Sequence, residues 1–151
     1  MQHQLATSQQ SRPARALNRV TTAADKRILV VDDDSDTRRL IGAWLDYAGL
    51  PHVDAEDAEA ALRVLDSHQI SVVLCDRTMP GHDGLWLIAQ IRERFPHVPV
   101  ILATGDNGIS LRITSQPGVL GYLLKPFDEG SLIVAVNDAI VWHRVAGTRA
   151  R

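Results

Sequence analysis

Polar residues stand where short apolar runs end: Asp32 and Asp33 after ILVV, Asp76 after VVLC, Thr104 after VILA and Lys125 after VLGYLL. Three carboxylates brought into one crevice repel one another and raise one another's pKa values, so the set implies a cation. Oxygen ligands suit a hard ion. Two or three carboxylates fit Mg2+, which keeps several waters and completes its octahedron with substrate oxygens. A calcium loop is the competing reading of Asp32 to Asp36, but that run lacks the central glycine and the distant glutamate such a loop needs. A carboxylate, a divalent metal, a hydroxyl and an ammonium together are the parts that phosphoryl transfer to an aspartate requires: a nucleophile, charge neutralisation and clamps on the oxygens. Singly, each residue reads as a turn, cap or exposed side chain. Their shared position at strand ends is what points to chemistry.

Lysine usage agrees. The sixteen basic residues include only two lysines, Lys26 and Lys125, against 14 arginines. Lys125 supplies a compact charge on a flexible stem, suited to one phosphate oxygen, whereas arginine offers a planar fork.

The elements that must hold these residues alternate in type. The first apolar run, Ile28 to Val31, is followed by a helical stretch from Ser35 to Ala48, with Leu40, Ile41, Trp44 and Leu45 at helical spacing and Gly49 as its C-cap. A weak strand at His52 to Ala55 precedes an amphipathic helix at Ala58 to Ser67. The run Val72 to Cys75 is continuously apolar, as expected of a strand covered on both faces. A turn-rich loop from Arg77 to Asp83 leads to a helix over Gly84 to Arg94, and then to a strand at Val100 to Ala103. A weaker helix at Asn107 to Ser115, a strand at Val119 to Leu124 and a helix at Asp128 to His143 complete five units of each kind. Strands joined by single crossover helices form a mostly parallel sheet. In such sheets ligands bind beyond the carboxyl ends of the strands, where all the residues above lie.

Length and charge exclude several classes. A chain of 151 residues with 45% hydrophobic composition makes one domain. Its net charge of -2 gives no global pull toward nucleic acid or anionic membrane. Residues 1 to 25 are polar and lack apolar periodicity, so they are expected to be a disordered extension, with a domain over residues 26 to 145 and a short tail over 146 to 151. Cys75, in an apolar run, reads as a buried structural thiol. No apolar stretch is long enough to cross a bilayer, and a cytoplasmic protein is expected.

The segments ILVVDDD, CDRTMPGHDG, ILATG and GYLLKPFD resemble the receiver domains of bacterial response regulators, and the likeness runs from about Arg27 to Val145. It implies a flavodoxin-like, doubly wound α/β fold with five parallel strands in the order 2-1-3-4-5 and five helices. It also implies Asp76 as phosphoacceptor, with Asp33 as direct ligand of Mg2+, Asp32 acting through metal-bound water, and the backbone carbonyl of Thr78 as a further ligand. Thr104 resembles the switch hydroxyl and Tyr122 the aromatic residue that responds to it. A cis bond before Pro126, aiming Lys125 into the site, is implied as well. A sensor histidine kinase or a histidine phosphotransfer protein is the expected donor, and a homodimer is one assembly the resemblance allows.

Two other functions compete. A phosphatase of the haloacid-dehalogenase type would place its nucleophile on the first strand, with an acid two residues later, whereas position 78 is Thr. A DNA-binding regulator would need a reading head, and six residues after Val145 are too few for one. The expectation is a stand-alone receiver acting through protein contact, a signalling switch and not an enzyme, with no direct contact to DNA or membrane. A receiver that no longer accepts phosphate is disfavoured because Met79, Pro80 and Gly84 all match the acceptor loop. His82 reads as an exposed loop residue, Trp44 and Trp86 as packing, and Trp142 as either core or surface contact.

Overall fold

The computed structural model describes residues 26–105 and 117–149. Among these, β1 (Arg27–Val31), α1 (Ser35–Tyr47), β2 (His52–Ala55), α2 (Ala58–Ser67) and β3 (Ile70–Asp76) come first. They are followed by α3 (Gly84–Arg94), β4 (Val100–Thr104), β5 (Val119–Leu124) and a last helix, α4 (Glu129–Arg149). All strand pairs are parallel, in the order β2-β1-β3-β4-β5. The expected doubly wound sheet is therefore present.

Alternation along the strands divides the core in two, because successive side chains leave opposite faces of a sheet. Leu29, Val31, Val73, Cys75 and Leu102 point to the face covered by Ala61 and Leu65 of α2 and by Leu87, Ile88 and Ile91 of α3. Ile28, Val30, Val72, Leu74 and Ile101 meet Ile41 and Leu45 of α1 and Leu132, Val136 and Ala139 of α4. All seven residues of β3 are buried, which explains its unbroken apolar run. Each such aliphatic side chain is worth about 1.5–3 kcal/mol relative to exposure.

Aspartates start the first three helices. Asp34, Asp57 and Asp83 have extended backbones and accept from the N–H groups of Asp36, Ala60 and Trp86, satisfying donors that each helix start leaves unpaired. Gly49 ends α1 with φ of 71°, a conformation glycine adopts without strain.

The structure shifts several of the expected element bounds. β3 begins at Ile70 and ends at Asp76, so the acid is the last residue of the strand. The last helix runs on to Arg149 instead of stopping at His143, and so takes up part of the expected tail. Arg144 and Ala146, which follow His143, are residue types that favour helix. Four helices, not five, lie among the described residues. The expected helix at Asn107 to Ser115 and the extension over residues 1 to 25 fall outside them.

One close approach ties the fold to the polar end of β3. Gly84, the first residue of α3, donates its N–H to Arg77 O at 3.0 Å. A Cβ there would lie 2.5 Å from Asp76 O and 2.9 Å from Arg77 Cα, both backbone atoms. Gly84→Ala must push α3 away from the end of β3, at about 1–3 kcal/mol, the usual cost of overpacking. Urea unfolding should show the midpoint fall at unchanged slope, and an unchanged midpoint would mean that the loop gives way freely.

Candidate functional site

The hydrogen-bond ladder extends past the strands and aligns their ends. Asp32 N–H donates to Ala55 O at 3.2 Å, Arg77 N–H to Ala103 O at 2.8 Å and Lys125 N–H to Thr104 O at 2.7 Å. Asp76 pairs in register with Ala103, and Thr104 with Leu124. Carboxylate oxygens of Asp32, Asp33 and Asp76 consequently lie within 4.8 Å of one another. Asp32 and Asp76 are buried, and Asp33 is exposed.

Lys125 lies between the two buried acids, its Nζ 3.0 Å from Asp32 Oδ2 and 3.3 Å from Asp76 Oδ2. The peptide bond from Lys125 to Pro126 is cis. Thr104 is buried at the end of β4. The backbone N–H of Thr78 donates to Asp76 Oδ1 at 3.3 Å. Tyr122 is 52% exposed on β5.

Neighbouring polar residues divide into those that build the site and those that do not. Asp34 accepts from the Thr37 hydroxyl at 2.8 Å and caps α1, so it serves the helix and not the cluster. His82 is exposed, as expected, but held: its ring stacks on Trp86 at 3.7 Å between centroids and its Nε2 is 3.4 Å from Glu59. Trp44 and Trp86 pack against the two core clusters, and Trp142 is 36% exposed. Arg38 was not signalled by the sequence. It donates to the main-chain oxygen of Asp32 at 2.7 Å and to Asp54 at 2.9 Å. An arginine four residues after the helix cap, and an acid one residue before the end of β2, are the only trace of this link in the sequence.

The donor set suits a hard cation: three carboxylates together, with no histidine or cysteine among them. Burial pushes the Asp76 carboxyl above its ordinary pKa, Lys125 opposes this, and Asp32 adds to it. Burial would lower Lys125, yet its hydrogen bond to Asp32 and the charges of Asp76 and Asp32 outweigh that and hold it above its usual value. Burial also raises the Cys75 thiol far beyond neutrality, with Asp76 adding to the effect, so it is an inert core group.

A carboxyl whose pKa is raised on folding adds stability below its unfolded pKa and loses it as pH rises through the folded value. Ionised Asp76 is therefore a burden on the metal-free protein at neutral pH. Asp76→Asn should stabilise that form at pH 7 and raise its melting temperature. The gain should shrink as the pH falls through the range in which Asp76 protonates. A melting temperature that drops in the mutant at pH 7 would show that the ion pair with Lys125 outweighs burial.

The model of the response regulator receiver domain matches residues 28–137. The chain is 39% identical over 114 residues to the DNA-binding transcriptional regulator NtrC of Escherichia coli K12, covering 75% of this chain and 24% of that one. To the response regulator protein FleR of Pseudomonas aeruginosa it is 37% identical over 108 residues, covering 71% and 23%. The chain spans about a quarter of the length of these curated relatives. Among solved structures, a response regulator receiver domain protein from Clostridium thermocellum superposes with a TM-score of 0.73 at 29% identity, covering 80% of this chain and 98% of that one. Response regulator protein TrrA from Thermotoga maritima, in complex with Mg2+ and BeF, gives 0.69 at 32% identity, covering 76% and 98%. With its sheet order, its acidic cluster and these matches, the chain belongs to the response regulator receiver domain family.

Proposed function

We propose that Asp76 accepts a phosphoryl group from a phosphohistidine on a sensor histidine kinase or a histidine phosphotransfer protein. One observation carries the reading: a buried carboxylate ends the central strand within 3.3 Å of an ammonium and beside two further acids. A carboxylate oxygen of Asp76 forms the bond to phosphorus as the bond from phosphorus to the imidazole nitrogen breaks, and the electron pair stays on the imidazole. Asp33 and Asp76, the backbone carbonyl of Thr78, and Asp32 through water would hold Mg2+. When bound, that ion neutralises charge developing on the phosphoryl oxygens. TrrA, solved with Mg2+ and BeF, supports this choice of ion.

The chain's own residues complete the transfer. Lys125 leaves its present pairing with Asp76 to meet a phosphoryl oxygen, and the Thr104 hydroxyl donates to another. The product is a changed set of contacts at β4 and β5, with Tyr122 on the exposed side of β5, which makes the domain a switch and not an enzyme. Output through protein contact fits a described surface with no strongly basic balance, and DNA binding by NtrC is not carried over from a match to a quarter of that protein. Among the described residues no helix is long and apolar enough to cross a membrane.

Incubation with Mg2+ and acetyl phosphate should label the wild type at Asp76 and leave Asp76→Asn unlabelled, as read by intact mass. Label that persists in the mutant, or maps to Asp32 or Asp33, excludes the assignment. Lys125→Arg keeps the charge but carries it on a wider planar group. It should still bind a beryllofluoride mimic while losing most of the amide shift changes around Thr104 and Tyr122, because a ligand moves an equilibrium only through contacts that differ between states. Full wild-type shifts in that mutant would reduce Lys125 to charge balance.

A further inference from the structure

Arg38 lies in the first turn of α1, where a cation opposes the helix dipole, so helix stability does not account for it. Its side chain is 15% exposed and joins two strands. Nε donates to Asp54 Oδ2 on β2 at 2.9 Å, and a terminal nitrogen donates to the main-chain oxygen of Asp32 at 2.7 Å. That oxygen belongs to the peptide unit joining Asp32 to Asp33. The residue is held on its other sides too: its N–H donates to Ala55 O at 3.2 Å, and its Oδ1 accepts from Asp34 N–H at 2.9 Å.

A peptide unit is planar, so fixing the direction of its carbonyl also fixes the plane from which the next Cα departs. The orientation of the Asp32–Asp33 peptide therefore sets where the exposed Asp33 carboxylate meets the two buried ones. A guanidinium is suited to this role because its donors are fixed in one plane and can engage two acceptors at once. We propose that Arg38 is a positioning residue for the acidic pair, holding the Asp32–Asp33 peptide so that Asp33 faces Asp76, with Asp54 holding Arg38 in turn. The proposal rests on the reading of Asp32 and Asp33 as metal-holding residues.

The sign of the effect separates this role from simple charge. If Arg38 acted only as a nearby cation, its removal would leave the cluster more negative and would tighten Mg2+ binding. If it positions Asp33, removal weakens binding despite the more favourable charge. Mg2+ titration of the full chain at constant ionic strength, followed by tryptophan fluorescence, would compare wild type, Arg38→Ala, Arg38→Lys and Asp33→Ala. Arg38→Ala should bind about tenfold more weakly, the low end of what outer partners of metal ligands are worth. Arg38→Lys, with one ammonium in place of a fork, should fall between it and wild type, and it keeps the comparison usable should the alanine variant not fold.

A second readout needs no metal. The Asp33 amide shares its peptide with the Asp32 carbonyl, so its NMR resonance in the metal-free protein should move in Arg38→Ala and in Arg38→Lys. Tighter or unchanged Mg2+ binding in Arg38→Ala, or an Asp33 amide that stays in place, overturns the positioning role. Should wild type and Asp33→Ala titrate alike, the metal reading of Asp33 fails instead, and the amide resonance still decides whether Arg38 holds the peptide.

Discussion

Like charges this close need a scaffold that will not let them part. Carboxylate oxygens of Asp32, Asp33 and Asp76 lie within 4.8 Å of one another, and the two buried ones, when both are ionised, repel by about 3–4 kcal/mol at an effective dielectric near 20. One ammonium, 3.0 and 3.3 Å from two of them, leaves the set net negative. Stability of a domain amounts to about 5–15 kcal/mol in all, so this repulsion is a substantial fraction of it. The fold bears the load by putting the two buried acids at the ends of β1 and β3, neighbours in the interior of the sheet, and leaving Asp33 in water, where its charge is screened.

Backbone context sorts the aspartates, since the side chains themselves are identical. Asp34, Asp57 and Asp83 come directly before helices, and each bonds to amides in its own helix start. Asp32 and Asp76 stand at strand ends, where the chain has not yet turned, and their oxygens reach across to other strands. The run Asp32–Asp33–Asp34 contains both uses. One residue along the chain is enough to change a member of the cluster into a helix cap.

Much of this was legible in the sequence because it depends on local pattern. The apolar run ending at Asp76 marked a strand buried on both faces, and shorter apolar runs marked the strands that lead to Thr104 and Lys125, the last of them half exposed in the structure. The alternation of such runs with stretches of helical spacing then identified a parallel sheet joined by crossover helices. What could not be read depends on contacts between distant segments. Arg38 and Asp54 are separated by the rest of α1 and a turn, and nothing in composition distinguishes this arginine from Arg39, which pairs within its own helix. The end of α4 was misjudged for a related reason. Apolar spacing thins after His143, yet that ring accepts from Lys26 Nζ at 2.9 Å and donates to His97 O at 2.9 Å, contacts with distant segments that hold the helix end.

The sheet order makes the site mechanically lopsided. β1 and β3, which carry the acids, are each bonded to neighbours on both sides, whereas among the described residues β5, which leads into Lys125, is bonded on one side only, to β4. The crevice is a vice with one fixed jaw and one sprung jaw. Force on Asp76 works against two ladders of hydrogen bonds, and force on Lys125 works mainly against one. A displacement of Lys125 would therefore meet its least resistance in β5, the strand on which Tyr122 and Leu124 stand exposed.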